Sequence, residues 1–118
     1  SDLPDYFYRL FGTVMSDVSQ RIQAQVNEHA VVLYMKGTPQ FPQCGFSANA
    51  VQLLKTCGVT DFLAVNVLLD PEIREGIKAF SQWPTIPQLY VRGEFIGGSD
   101  IMRDLYQSGE LQTLLKPA

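Results

Sequence analysis

The stretch AVVLYMKGTPQFPQCGFS, residues 30–47, decides the fold. It opens on AVVLYM, an unbroken apolar run rich in strand formers that Gly37 and Pro39 bring to an end. Such a run, without polar alternation, predicts a strand covered on both faces, as in a layered α/β sheet. TPQFPQ (38–43) holds two prolines and reads as a loop. After Cys44 the apolar residues Phe46, Ala50, Leu53, Leu54 and Cys57 recur at helical spacing, and Gly58 stands where a helix C-terminal glycine belongs. The stretch is therefore strand, loop and helix, with a cysteine at the last junction.

Upstream, SDVSQRIQAQVNEH (16–29) places Val18, Ile22 and Val26 four residues apart, with Val14 a step earlier. That is one apolar stripe of a helix, with Ser16 as its N-cap. SDLPDYFYRLFGT (1–13) is aromatic-rich without a clean period and reads as a poorly defined N-terminal extension, leaving 14–118 as the domain. Downstream, DFLAVNVL (61–68) predicts a second apolar strand. Asp70-Pro71-Glu72 then has the cap, the first-turn proline and the acid of a helix start, with Ile73, Ile77 and Phe80 as its buried stripe. Trp83-Pro84 stops that helix. IPQLYV (86–91) and EFI (94–96) predict strands joined by the hairpin signal Arg92-Gly93. Gly97-Gly98-Ser99-Asp100 leads into a helix bearing Ile101, Met102 and Leu105, and Ser108-Gly109 separates it from a last turn with Leu111, Leu114 and Leu115.

The order is α, β-α-β, α, β-β, α-α. The first β-α-β unit requires parallel strands with a right-handed crossover, and the hairpin adds antiparallel strands. The expected fold class is α/β, a four-stranded mixed sheet flanked by helices on both faces.

Composition narrows the function. A chain of 118 residues suits one domain, and 46% apolar residues are enough for a core. The net charge of −3 and the lack of a basic run argue against nucleic acid as a partner. No apolar run approaches the ~20 residues of a membrane span. No signal-peptide pattern is present, and a chain that opens on Ser1 leaves open that a targeting segment has been removed. Two cysteines do not make a secreted disulfide framework, so a reducing intracellular compartment is expected.

Cys44 lies where free N–H groups and the helix dipole favour thiolate over thiol, and Lys36 can add positive charge. The alternative is a structural cysteine; Pro42 before it and Gly45 after it argue for an exposed turn. Cys57 completes an apolar helix face and reads as core. Its other reading, a resolving thiol for Cys44, meets a distance of ~20 Å along one helix at ~1.5 Å per residue, too far for a disulfide. His29, the sole histidine, sits at a helix end, and Trp83 reads as packing at a helix terminus.

Taken together, KGTP (36–39), CGFS (44–47), WPTIPQLYV (83–91) and GGSD (97–100) resemble, in order and spacing, a monothiol glutaredoxin of the CGFS class, the single-domain mitochondrial type. The resemblance implies a thioredoxin fold, glutathione binding, a bridged [2Fe–2S] cluster and a role in iron–sulfur protein biogenesis. It implies a cis-proline at Ile86-Pro87, beside which a bound peptide can pair with the backbone. It places Lys36 and Arg74 at one carboxylate of glutathione and the amides of Gly98, Ser99 and Asp100 at the other. The Asp100 side chain then faces the ammonium, and Thr85 and Phe46 line the approach. Without the resemblance, Pro87 reads equally as a strand-edge proline, Arg74 as a solvated helix residue and Asp100 as a first-turn helix acid. One departure is Ser99, where many family members carry cysteine; its absence removes one internal disulfide partner.

A [2Fe–2S] cluster takes four thiolate ligands. One exposed cysteine per chain supplies one, so two chains and two glutathiones complete the set. Ser47, standing where dithiol relatives carry a second cysteine, cannot close a disulfide and leaves Cys44 available as the metal ligand. The leading expectation is a cluster carrier, a homodimer when loaded and a monomer when apo. Its partners would be glutathione or a related low-molecular-weight thiol, apo iron–sulfur client proteins and assembly factors. The rival is a glutathione-dependent thiol–disulfide oxidoreductase with Cys44 as nucleophile, weak at most. A mitochondrial location follows from the resemblance alone.

Overall fold

The computed structural model describes residues 16–117. The expected extension at 1–13 and the stripe residue Val14 lie outside those residues. Helix α1 (Asp17–Glu28) starts at Ser16, whose hydroxyl accepts from the Ser19 amide at 3.1 Å. Strand β1 (Val31–Met35) is buried along its whole length, as an unbroken apolar run requires. Helix α2 (Gly45–Thr56) follows the proline loop, with Cys44 as its N-cap. Strand β2 (Leu63–Asn66) comes next, then a short 3-10 turn, Val67–Leu69. Asp70 caps α3 (Pro71–Ser81) by accepting from the Ile73 amide at 3.2 Å. Strands β3 (Gln88–Val91) and β4 (Glu94–Gly97) form the hairpin, and α4 (Ser99–Gln107) and α5 (Glu110–Leu115) close the described chain.

The strands order β2-β1-β3-β4. β1 runs parallel to β2 and antiparallel to β3, and β3 pairs antiparallel with β4. Alternate side chains of the central strands enter two separate cores. Leu33, Met35, Leu89 and Val91 meet Ala50, Leu54, Met102 and Leu111 on the face covered by α2, α4 and α5. Val32, Tyr34 and Tyr90 meet Ile22, Val26, Ile73 and Ile77 on the face covered by α1 and α3. The four-stranded mixed sheet with helices on both faces is thus the observed architecture.

Two expectations about local structure need correction. The second strand is shorter than DFLAVNVL: at Asn66 the side-chain oxygen accepts from the Leu68 amide at 3.1 Å and turns the chain into the 3-10 segment. As an edge strand β2 is also only half-buried. The buried stripe of α2 does not include Phe46, which is 63% exposed; it runs instead through Ser47, Ala50, Val51 and Leu54. Leu53 and Cys57 pack against the edge of that core.

Three backbone features position the site. Gly37 has φ +92°, and a Cβ there would lie 2.5 Å from the Phe41 carbonyl oxygen and 2.6 Å from the Gln43 amide, so only glycine lets the loop fold back on itself. Gly76 lets α1 and α3 meet: a Cβ would overlap the Val18 side chain. Arg92 and Gly93 both have positive φ, the turn that matches strand twist in a two-residue hairpin. The Arg92 guanidinium also donates to the Leu114 and Lys116 carbonyls at 2.7 and 3.1 Å, tying the hairpin to the end of α5.

Candidate functional site

Cys44 sits between β1 and α2 because the loop 37–43 returns the chain to the strand end it has just left. The Gln43 amide donates to the Lys36 carbonyl at 2.9 Å, and the Thr38 and Phe41 main chains bond to each other in both directions. The Gly37 amide donates to the Asn66 side-chain oxygen at 3.0 Å, so β2 also holds the loop. Cys44 has extended backbone angles, leaving its half-buried sulfur beside the open end of α2.

Partial burial pushes the Cys44 thiol up, but donors outweigh it. The Ser47 and Phe46 amides, the Ser47 hydroxyl and the Lys36 charge bring its pKa below the ordinary thiol value. The thiol forms no regular N-cap hydrogen bond; it is the thiolate that draws on those groups. Cys57 shows the contrast, since burial pushes its thiol up with nothing opposing. Both cysteines are free.

A cavity of about 410 Å³ opens beside Cys44, within the ~300–1,000 Å³ range of small-ligand sites. Every candidate named from the sequence lines it. Lys36, at the end of β1, and Arg74, on α3, supply positive charge. Phe46 and Thr85 stand at its exposed edge, and Ile86 and Pro87 form a buried wall through a cis peptide bond. Gly98, Ser99 and Asp100 bring the N-terminus of α4 to the far side. A Cβ at Gly98 would lie 3.2 Å from the Pro87 carbonyl oxygen, so the two walls approach as closely as backbone allows.

Sequence reasoning missed several residues of the same cavity. Lys78 lines it one helical turn beyond Arg74, and that i, i+4 spacing was the available signal. Pro84 and Ile101 line it as well. Trp83 packs on Phe95 with ring centroids 6.0 Å apart, as expected of a residue at a helix terminus, but it also faces the cavity. Gln88 is the least legible. It is fully buried inside the apolar face of β3, and its amide nitrogen donates to the Trp83 and Thr85 carbonyls at 3.1 and 3.0 Å. Those bonds set the path of the loop that carries Thr85, Ile86 and Pro87.

Two further bonds cross the site. The Ser47 hydroxyl oxygen accepts from the Lys36 amide at 3.0 Å. The Asn49 side-chain amide donates to the Ser99 hydroxyl at 2.9 Å, joining the second turn of α2 to the start of α4. Among the described residues no cluster of three or more His, Cys, Asp or Glu could enclose a metal ion. Cys44 is the only thiol of the cavity. No described helix is long and apolar enough to cross a membrane.

Comparison with known proteins places the chain in a family. The family model for glutaredoxin matches residues 31–96. A protein named probable monothiol glutaredoxin GrlA, from Legionella pneumophila, is 59% identical over 87 residues, covering 74% of this chain and 97% of its own. Monothiol glutaredoxin-5, mitochondrial, from Saccharomyces cerevisiae is 53% identical over 105 residues, covering 87% of this chain and 70% of its own. The solution structure of reduced poplar apo GrxS14 superposes with a TM-score of 0.72 at 50% identity, covering 81% of this chain and 87% of that one.

Proposed function

The chain belongs to the glutaredoxin family, with a thioredoxin fold and close relatives of the monothiol kind, and from that premise we propose that it carries [2Fe–2S] clusters with glutathione in iron–sulfur protein biogenesis. The observation that supports this most is the single thiol of the cavity, held as a thiolate-favouring group at a helix N-terminus. A [2Fe–2S] cluster needs four thiolates, and one chain offers one. Cys57 caps the other end of the 12-residue α2, ~20 Å away at ~1.5 Å per residue, and Ser47 is a buried hydroxyl. The donor set therefore fits a cluster shared between Cys44 of two chains and two glutathione thiols, and it does not fit a cluster enclosed by one chain. Such a cargo, half of whose ligands exchange with solvent, is suited to transfer.

The cavity suits glutathione by charge. Lys36 and Arg74 give one carboxylate its cations, and the free amides at the start of α4 suit the other. Asp100 suits the ammonium. Anaerobic reconstitution with iron, sulfide and glutathione is expected to give a coloured dimer by absorption and sedimentation. A folded, colourless monomer under those conditions overturns the reading.

The lowered Cys44 pKa favours a second reading, a monothiol glutathione-dependent oxidoreductase. Turnover of a glutathionylated substrate, lost in Cys44→Ser, would identify it; negligible turnover alongside cluster binding would leave the carrier role alone. The mitochondrial location rests on relatives such as the yeast protein, while the Legionella relative is as similar. We propose only the common denominator, a reducing, thiol-rich compartment.

A further inference from the structure

Cys44 borders a second concavity. This one is more open and is lined by Cys44, Gly45, Phe46, Asn49, Ser99 and Arg103. It shares Cys44, Phe46 and Ser99 with the first cavity and adds Gly45, Asn49 and Arg103, which the first does not touch. Its floor is fixed, because Asn49 and Ser99 are bonded to each other across it. Its rim is apolar and cationic: Phe46 stands exposed, and Arg103 is half-exposed and paired with Asp100 at 3.4 Å, a surface pair of little strength.

The charge around the sulfur runs against the charge of the whole molecule. The chain is net acidic at −3, yet Lys36, Arg74 and Lys78 line the first concavity, Arg103 lines the second, and among the described residues Asp100 is the only acid in either. Asp100 is moreover the partner of Arg103, and the ammonium of a bound thiol peptide would compete for it, freeing the guanidinium toward the second groove.

We infer that the second concavity receives the protein side of a protein–glutathione mixed disulfide, and that it selects segments whose cysteine is flanked by acidic side chains. This rests on the small-thiol reading of the first cavity and on the thiol–disulfide exchange reading of Cys44. With the glutathione half of a protein–glutathione disulfide in the first cavity, the protein half leaves along the second. The Cys44 thiolate attacks the glutathione sulfur, a new sulfur–sulfur bond forms at Cys44, the old one breaks, and the protein sulfur departs as thiolate and takes a proton from water. A free glutathione thiolate then attacks the Cys44–glutathione bond, releasing glutathione disulfide and restoring Cys44. Arg103 is a specificity-determining residue in this scheme: it faces the departing segment and stands outside the first cavity.

The test uses synthetic peptides that share one glutathionylated cysteine, flanked by aspartates, by serines or by lysines. Mass spectrometry follows formation of the Cys44–glutathione disulfide under single-turnover conditions. The aspartate peptide is expected to react about tenfold faster than the lysine peptide at low salt, with the ratio falling toward unity in high salt. Arg103→Gln should shrink the ratio and Arg103→Glu should invert it, while a melting curve verifies the fold of each variant. Equal rates for the peptides, or a lysine preference in the unaltered protein, overturn the inference while leaving the small-thiol site intact. No exchange with any peptide while calorimetry still shows glutathione binding overturns the inference alone; no exchange together with no glutathione binding overturns both.

Discussion

The buried hydroxyl of Ser47 is bonded to the main-chain amide of Lys36 at 3.0 Å, so the first turn of α2 is fastened directly to the end of β1. The same hydroxyl lowers the pKa of Cys44. Ser47 thus does more than fill the place of a second thiol: it positions the first one. Ser47→Ala should leave the Lys36 amide without its partner, at a cost of about 1–3 kcal/mol, visible in denaturant melts. The same change should move the pH inflection of Cys44 alkylation upward. An unchanged inflection would mean the hydroxyl serves packing alone.

Alkylation should also separate the two cysteines by pH. Donors hold the Cys44 thiol below its ordinary value despite partial burial, whereas burial raises Cys57. Iodoacetamide, with peptide mass spectrometry as readout, is expected to label Cys44 at lower pH. The sign for stability follows. A group whose folded pKa is depressed contributes stability above its unfolded pKa, and that contribution is lost as pH falls through the native value. Lys36→Met should raise the Cys44 inflection by removing a nearby charge.

The acid limb of stability should carry the signature of Asp70. Hydrogen bonds from Arg21 and from the Ile73 amide hold its carboxyl below the usual range. Its contribution is full above the unfolded carboxylate pKa and disappears as pH falls through the lowered native one. Asp70→Asn removes the Arg21 charge pair and should flatten the decline in melting temperature below pH ~4. An acid limb identical in the two proteins would place the titration elsewhere.

Gly76 gives a prediction whose sign is diagnostic. Helix propensity alone favours alanine over glycine by ~1 kcal/mol. Here the added Cβ overlaps Val18, so Gly76→Ala should destabilise by about 1–3 kcal/mol through overpacking. Adding Val18→Ala should recover part of the loss in thermal melts. A stabilised single variant would mean that α1 moves aside freely.

Gln88→Leu keeps side-chain bulk but frees two carbonyls of the loop that carries Thr85, Ile86 and Pro87. Glutathione affinity measured by calorimetry is expected to fall about tenfold, in line with the ~1–3 kcal/mol cost of unpaired buried groups. Lys36→Ala and Asp100→Ala should weaken binding comparably, since each removes a charge that lines the cavity and is proposed to pair with the ligand. Unchanged affinity in all of these variants would retire the cavity as the thiol site.

Much of this could be read in the residues. The unbroken run at β1, the capping group at Asp70 and the Arg92-Gly93 turn each follow from local chemistry, and each appears where that chemistry puts it. The cavity's lining was legible through its motifs, because those motifs sit at element ends that face one another. Less legible were residues whose role depends on a neighbour remote in sequence. Phe46 fits an apolar stripe by spacing, but Ser47 takes the buried position because Lys36 needs its hydroxyl. Gln88 reads as an ordinary strand residue until the loop folds over it. The pairing of Asn49 with Ser99 spans 50 residues, and no local pattern announces it.

The Lys36 main chain is gripped from both sides, its carbonyl by the Gln43 amide and its own amide by Ser47. A reactive tetrapeptide transplanted alone into a foreign scaffold would therefore leave its reactivity behind. Anyone wishing to move this chemistry must carry the strand end, the folded-back loop and the helix start together as one cassette.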